Sequence, residues 1–244
     1  MPDRRAALVT GGAVRLGRGI VEELASRGWA VIFTFNSSRD AAEGLAASLR
    51  AQGKEVETLA ADLSEPSAWR GTLEAAVERL GRLDALVNNA AAFPATPVDN
   101  LTREQLEDVL RLNLEAPLFL TLEAAAHLRR SRGAVVNLAD IYARHPMRDF
   151  LAYCVSKAAL VAATRALAVE LAPEVRVNAV APGIALFPES TDEETRRRRL
   201  ARTPMGREAG AAEIARAVCY LIEDTEVVTG QVLAVDGGRT VVLR

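Results

Sequence analysis

Residues 6–19 read AALVTGGAVRLGRG. Ala6 to Val9 form an apolar run that suits a short buried strand, and Thr10, Gly11 and Gly12 end it. An amphipathic pattern then runs to about Arg27, with apolar residues at helical spacing. A glycine turn between a strand and a helix presents the first N–H groups of that helix at the strand tip. Those groups, with the helix dipole behind them, favour a phosphate. Gly11 and Gly17 let the backbone turn tightly and approach a pyrophosphate, and Gly19 is expected to let the helix pack close to the sheet. The spacing, Gly-x5-Gly-x-Gly, is longer than the standard dinucleotide fingerprint, and a plain strand-to-helix turn is the alternative reading.

The alternation continues outward from that turn. Further strands are expected at 29–34, 56–60, 85–87, 134–138, 176–181 and 231–235. Helices are expected at 40–52, 65–80, 150–171 and 211–222. A long helical region to about 130 opens on a capping box, Thr102 with Gln105. No linker, repeat or low-complexity stretch interrupts the pattern. It predicts an α/β fold over residues 1–244: a single Rossmann-type domain, with about seven strands in one doubly wound parallel sheet and helices on both faces. Right-handed crossovers then place every strand C-terminus along one edge, where such sheets bind their ligands. Residues 184–205 are polar and Arg-rich, and are expected to form a substrate lid.

Composition narrows the partners. A formal net charge of -2 gives no argument for nucleic acid or a membrane surface. No uninterrupted apolar run reaches bilayer length, and the N-terminus lacks a signal-peptide pattern, so a cytoplasmic location is expected. The two cysteines, Cys154 and Cys219, and the two histidines, His127 and His145, fall in no metal-ligand spacing, so no metal is expected.

Chemistry is expected between Ala139 and Lys157. Tyr153 and Lys157 are four residues apart, which places both on one helix face. An ammonium beside a phenol favours the phenolate, so the Tyr153 pKa is expected to be lowered. A tyrosine so tuned can move a proton, which a hydride-transfer enzyme needs. Only two residues in the chain are Lys, Lys54 and Lys157, so the second is a notable placement. Asp140 lies thirteen residues before Tyr153, at the end of an apolar strand. It reads as a catalytic group or as a helix N-cap.

The cofactor type is read at the end of the second strand. An acid there would hold a ribose 2′-hydroxyl. Thr34-Phe35-Asn36-Ser37-Ser38-Arg39 offers none before Asp40. Arg39 and the two serines suit a 2′-phosphate, with Arg15 adding charge, so NADPH is favoured. Arg39 also reads as an ordinary surface charge. Asp62 can accept from an adenine amino group or cap a helix, and Asn89, Ala90 and Ala91 can line the nucleotide cleft.

Together, TGGAVRLGRG, Asn88-Asn89-Ala90, Asn113, Tyr153-x-x-x-Lys157 and Pro182-Gly183 resemble the short-chain dehydrogenase/reductase family, in order and over essentially the whole chain. The resemblance implies a catalytic set of Asn113, Tyr153 and Lys157, with Lys157 also on the nicotinamide ribose. It extends the cofactor site to Leu16, Leu63, Pro182, Gly183 and Ile184. Two departures stand out. Asp140 replaces the family's carbonyl-polarising Ser, and PGIALFPE lacks the Thr that usually follows Pro-Gly. These departures, with Arg15 in the glycine loop, are similar to pteridine reductases and dihydromonapterin reductases.

That likeness implies Arg15, Phe93, Asp140, Tyr153 and Leu186 as substrate contacts, Phe93 stacking on a pterin. Phe93 also reads as a loop anchor in the core. Ala91 stands where the family has a Ser. A carboxylate would oppose oxyanion growth in simple ketone reduction. Against the N–H groups of a pterin it is a useful acceptor, and if protonated by burial it donates as a Ser would.

Three functions follow. The first is NADPH-dependent reduction of dihydrobiopterin, dihydromonapterin or dihydrofolate to the tetrahydro form. The second is reduction of a ketone or a 3-oxoacyl-carrier-protein. The third is non-catalytic NADPH sensing. The run Arg196–Arg199 reads as a solvated helix face or as an attractant for an acidic substrate tail. Family likeness also implies a homotetramer built on the Tyr153 helix and the segment 231–243.

Overall fold

The computed structural model describes residues 4–242; residues 1–3 and 243–244, and so the Leu243 end of the expected subunit contact, lie outside the described residues. Seven parallel strands form one sheet in the order β3-β2-β1-β4-β5-β6-β7. They are β1 (Ala6–Val9), β2 (Ala30–Phe35), β3 (Val56–Ala60), β4 (Ala85–Asn88), β5 (Ala134–Leu138), β6 (Arg176–Pro182) and β7 (Val232–Val235). The helices are α1 (Arg15–Ser26), α2 (Arg39–Ala51), α3 (Pro66–Leu80), α4 (Arg103–Leu110), α5 (Ala116–Ser131), α6 (Leu151–Glu170), α7 (Glu193–Leu200), α8 (Gly210–Glu223) and α9 (Arg239–Val242).

The sheet is covered on both faces, and its central strands β1, β4 and β5 are buried at every position. Val9, Val31, Phe33 and Val87 face one layer, where α1, α2 and α8 bring Ile20, Leu24, Leu45, Ile214 and Val218. Leu8, Ile32, Leu86 and Val135 face the other, against Trp69, Leu73, Leu120, Leu128 and Leu167 of α3, α5 and α6. This is the period-two alternation of a strand, with both faces buried. One polar pair crosses the second layer. Asn88 and Asn137 stand opposite each other in the β4–β5 register, and the Asn88 amide donates to Asn137 Oδ1 at 2.8 Å.

The expected capping box is present: Gln105 N–H donates to Thr102 Oγ1, and Gln105 Oε1 accepts from Thr102 N–H. The long helix that follows is not uniform. Arg111–Glu115 forms a π turn between α4 and α5. Pro117 has no N–H, so the α-helical bond to the Asn113 carbonyl four residues earlier cannot form. The ladder widens there, and Ala116 N–H donates five residues back to Arg111.

Gly19 corrects an expectation. A Cβ there would stand 2.8 Å from the Ala211 Cβ, so this glycine admits α8 against α1 rather than α1 against the sheet. The membrane reading also needs adjustment. Among the described residues, α6 is long and apolar enough to cross a bilayer, with mean hydropathy 1.3. Its buried side includes Tyr153, Ser156 and Lys157, and it packs on β6 and the turn after β5, which marks it as a core helix.

Candidate active site

The sheet reverses its order between β1 and β4, the position at which a doubly wound sheet opens a crevice. Thr10 and Asn89 lace the two strand tips together. Thr10 Oγ1 accepts the N–H groups of Asn89 and Ala90 at 2.9 and 3.0 Å. The Asn89 amide donates to the carbonyls of Thr10 and Gly11 at 2.9 and 2.8 Å. Gly17 sits so close to the Gly11 carbonyl that any Cβ would overlap it. The turn is thereby held open as a backbone cradle. α1 begins beside it with no side-chain cap and no acid in its first turn, leaving its first N–H groups for another acceptor.

A cavity of about 460 Å³ lies over this cradle. Gly11, Arg15, Leu16, Gly17, Asn36, Asp62, Leu63, Asn89, Ala90 and Ala91 all line it. Ser37, Ser38 and Arg39 are not among the lining residues. Arg39 pairs with Glu43 at 3.1 Å and lies over the Phe35 ring. An exposed i,i+4 pair of this kind is worth about 0.3–0.5 kcal/mol, so a phosphate can outcompete it. Asp62 is not a helix cap. Its Oδ1 accepts from the hydroxyl and N–H of Ser64, which holds its pKa below the ordinary value, while Glu65 occupies the N-cap of α3. Pro182, Gly183 and Ile184 lie at the tip of β6, where Gly183 N–H donates to Val235.

The second half of the site hangs from the end of β5. Asp140 caps a short 3-10 turn, Ile141–Ala143, through Oδ1, which accepts the Tyr142 N–H at 2.8 Å. Its Oδ2 accepts the Tyr153 hydroxyl, also at 2.8 Å. One oxygen of Asp140 thus serves the cap, and the other holds the Tyr153 hydroxyl. Lys157 is fully buried, and Nζ donates to the Leu138 carbonyl at 2.7 Å. It lies 5.7 Å from the centroid of the Tyr153 ring.

This arrangement overturns the expected tuning of the tyrosine. Burial raises the Tyr153 pKa well above the ordinary phenol value, and the Asp140 carboxylate raises it further. Lys157, pointed at a backbone carbonyl, does not offset either effect. Burial pushes Lys157 itself down to about 8, against the pull of Asp140. Burial also raises Asp140, opposed by the Tyr142 N–H, the Tyr153 hydroxyl and the Lys157 charge. The pair is thus a protonated tyrosine donating to a carboxyl that itself tends toward the acid form.

Asn113 sits in the π turn, completely buried. Its amide exchanges bonds with the backbone of Ala92, donating to the carbonyl at 2.9 Å and accepting the N–H at 2.8 Å. It also donates to Ser156 Oγ, which in turn donates to the Tyr153 carbonyl. Asn113 so ties the β4 loop to the tyrosine helix. Phe93, on that loop, is half exposed. It stacks on Phe150 at 4.4 Å and meets the Tyr153 ring edge-on at 4.4 Å. Phe150 thus takes one face of the ring expected to stack on substrate.

Arg15 holds a left-handed backbone conformation, φ 52°, and its guanidinium donates to the Leu186 carbonyl at 3.1 Å. The two residues expected to meet a substrate from opposite ends of the sequence are brought together. Sequence reasoning missed Thr10, Ser156 and Phe150. Ser156 had a signal, a hydroxyl one turn after Tyr153; Thr10 and Phe150 had none beyond their neighbours.

Known proteins resemble the chain over nearly its whole length. The family model described as Enoyl-(Acyl carrier protein) reductase matches residues 12–240. FolM alternative dihydrofolate reductase 1 from Brucella suis, in complex with NADP, has a similar structure. Its TM-score is 0.92 at 36% identity, covering 99% of this chain and 97% of that one. A blue fluorescent protein from a metagenomic library, in complex with NADPH, gives a TM-score of 0.90 at 32% identity, covering 96% and 97%. The Streptomyces violaceoruber protein named "Granaticin polyketide synthase putative ketoacyl reductase 2" is 37% identical over 249 residues, 97% of this chain and 96% of its own length.

Proposed function

The chain belongs to the short-chain dehydrogenase/reductase family of oxidoreductases, and from that premise we propose that it reduces a dihydropterin with NADPH. The observation that carries the reading is the Tyr153–Asp140 bond. A carboxyl in place of a hydroxyl donor suits a substrate rich in N–H groups better than a plain ketone.

The cofactor fits the first cavity. The glycine cradle and the open N-terminus of α1 would hold the pyrophosphate, Asp62 the adenine, and Arg39 with Ser37 and Ser38 the 2′-phosphate. Bound there, NADPH supplies the hydride. The protein then has to deliver one proton. Tyr153 is the proton donor in this reading, and it stays protonated because burial holds its pKa high. When its proton leaves, a protonated Asp140 passes its own to the Tyr153 oxygen along the same 2.8 Å bond. Lys157 keeps a positive charge close by, which stabilises the anion formed on Asp140. Phe93 offers its free face to the pterin, and Arg15 with Leu186 closes one side, residues 184–205 forming the lid. The name of the Brucella enzyme supports a pterin-type substrate.

A second reading, reduction of a 3-oxoacyl thioester, is supported by the Streptomyces relative. It requires Asp140 to remain a neutral donor throughout. A homotetramer is proposed with either reading. Leu151 and Val155 on α6, and Val241 and Val242 on α9, are exposed apolar residues at the expected contact regions.

The test is NADPH oxidation by the purified protein with dihydrobiopterin, dihydromonapterin and dihydrofolate, beside acetoacetyl thioester. Turnover confined to the pterins is expected, and Tyr153→Phe should lose most of it while still binding NADPH. Turnover of the thioester alone would replace the first reading by the second. Tight NADPH binding with no turnover of any of them would favour a sensor.

A further inference from the structure

A second cavity, of about 660 Å³, lies where the turn after Asp140 meets α7 and α9. Six arginines wall it: Arg144 and Arg148 beyond the 3-10 turn, Arg198 and Arg199 on α7, Arg202 just after it, and Arg239 on α9. Tyr142 and His145 add polar lining, and no Asp or Glu takes part. The chain as a whole carries a formal net charge of -2, so this concentration of one sign is local. Like charges around one cavity repel unless something neutralises them.

Among the described residues, nothing does. Arg148 has a carboxylate at 3.9 Å, Asp149, in an exposed pair; the other five arginines have none within ion-pair distance. The C-terminal end of α7 accounts for part of the cluster, since cations in a last turn complement the helix dipole. It does not account for Arg239, which arrives from the far end of the sequence. That residue is only 7% exposed, and it donates through Nη1 to the Arg199 carbonyl and Thr203 Oγ1. Its Nε is buried without a partner. A buried guanidinium with an unused donor and no carboxylate is costly unless an oxyanion completes it.

The cavity is joined to the reaction centre through two residues of its wall. The Tyr142 N–H donates to Asp140 Oδ1, and the Met147 N–H donates to Sγ of Cys154, the neighbour of Tyr153. The chamber wall is thus bonded directly to Asp140 and to the residue after Tyr153.

We propose that the chamber is an oxyanion subsite that holds the multiply charged carboxylate tail of the substrate, as the glutamate of a folate presents. The assignment rests on the dihydropterin reading and narrows it, favouring folates over pterins with uncharged side chains. Guanidinium forks bind carboxylate and phosphate in the same bidentate way, so the phosphate of an acyl-carrier arm is the other source of such a ligand.

The experiment uses the full chain saturated with NADPH, as wild type and as the Arg144→Ala/Arg148→Ala double variant of two exposed arginines of the chamber that lie outside the lid. KM is measured for dihydrobiopterin, dihydrofolate and dihydrofolate carrying three γ-linked glutamates. KM is expected to fall as glutamates are added. In the double variant it should rise about tenfold or more for the triglutamate, the worth of a charged hydrogen bond, and less than twofold for dihydrobiopterin. Equal shifts for both substrates would overturn the proposal. So would a variant assembly that dissociates with KM unchanged, because the arginines would then be a subunit contact. Calorimetric titration with tri-γ-glutamate, and separately with pyrophosphate, needs no turnover. Triglutamate bound by wild type, and at least tenfold more weakly by the variant, upholds the subsite even if no pterin is reduced and the dihydropterin reading fails. Pyrophosphate bound without triglutamate overturns the carboxylate tail in favour of a phosphate, and binding of neither overturns the subsite.

Discussion

Asp140→Asn tests the proton path most directly. Asp140 holds two donors at once, the Tyr142 N–H on one oxygen and the Tyr153 hydroxyl on the other, each at 2.8 Å. An asparagine offers one acceptor and one donor in their place. If its carbonyl keeps the Tyr142 N–H, its amide faces Tyr153 as a donor that cannot give up a proton. The path to the tyrosine oxygen is then cut, while the ring, the turn and the cofactor cavity stay as they are. Losing a positioned acid–base group costs about a hundredfold to ten thousandfold in rate. Because water can replace the lost donor in part, the expected fall in kcat/KM is about a hundredfold to a thousandfold, or about 3–4 kcal/mol. Stability should change little. A charged hydrogen bond worth about 1.5–3 kcal/mol is lost, and a buried carboxyl with a desolvation cost of several kcal/mol is removed with it. The assay is kcat/KM for a dihydropterin from pH 5 to 9, with NADPH affinity measured alongside by fluorescence. Burial raises Asp140, so its acid form survives to higher pH than in a free aspartate. The wild-type rate should therefore fall as pH rises through that raised value, and the variant should lack this limb. In stability, the same shift is a contribution present at low pH and lost as pH rises through the folded value. A variant within threefold of wild type at every pH would refute the relay.

Other substitutions test the supporting structure. Lys157→Met should abolish turnover yet raise the melting temperature at pH 7, because a fully buried ammonium bonded only to the Leu138 carbonyl is removed. Lys157 binds its proton more weakly folded, near 8, than unfolded, near 10.5, so wild-type stability should climb between those pH values and the variant's should not; a lower melting temperature for the variant at pH 7 would count against this. Arg15→Gly relieves a left-handed residue, stabilising by about 1 kcal/mol in thermal unfolding, while loss of the bond to Leu186 raises KM for the pterin; an unchanged KM would detach Arg15 from the substrate side. Gly19→Ala would gain about 1 kcal/mol on helix propensity alone. Its Cβ, however, would meet Ala211 at 2.8 Å, so a net destabilisation of about 1–3 kcal/mol is expected in denaturant unfolding. A stabilised variant would show that α8 can give way.

The alternation of strand and helix was legible because most strands are short apolar runs close to a glycine, proline or asparagine, and the helices carry apolar residues at helical spacing. Ten of the expected cofactor residues line one cavity because they sit at successive strand tips, and a parallel sheet collects those tips at one edge. The direction of a side chain at such a tip is a different matter. Arg39 turned to Glu43 and Phe35, each four residues away, and Lys157 to Leu138 on another element, because a long cation takes the nearest acceptor that the packed fold leaves it. Gly19 was misassigned for the same reason: its crowded neighbour, Ala211, comes from the other end of the chain.

The amino-acid sequence by itself determined the doubly wound sheet, the glycine cradle at Gly11 and Gly17, and the shared helix face of Tyr153 and Lys157, with Asp140 at the preceding strand end, whereas Asn113 was implied only by family resemblance. These follow from periodicity, backbone freedom and spacing along single elements, which are local properties. Only the tertiary structure decided how charge is distributed among them. Burial holds Tyr153 protonated against Asp140 and weakens the proton on Lys157, reversing the tuning that the four-residue spacing suggested. It alone gathered six arginines, spread from Arg144 to Arg239, around one chamber. Desolvation and the meeting of distant charges depend on the packed fold, and no stretch of sequence contains them.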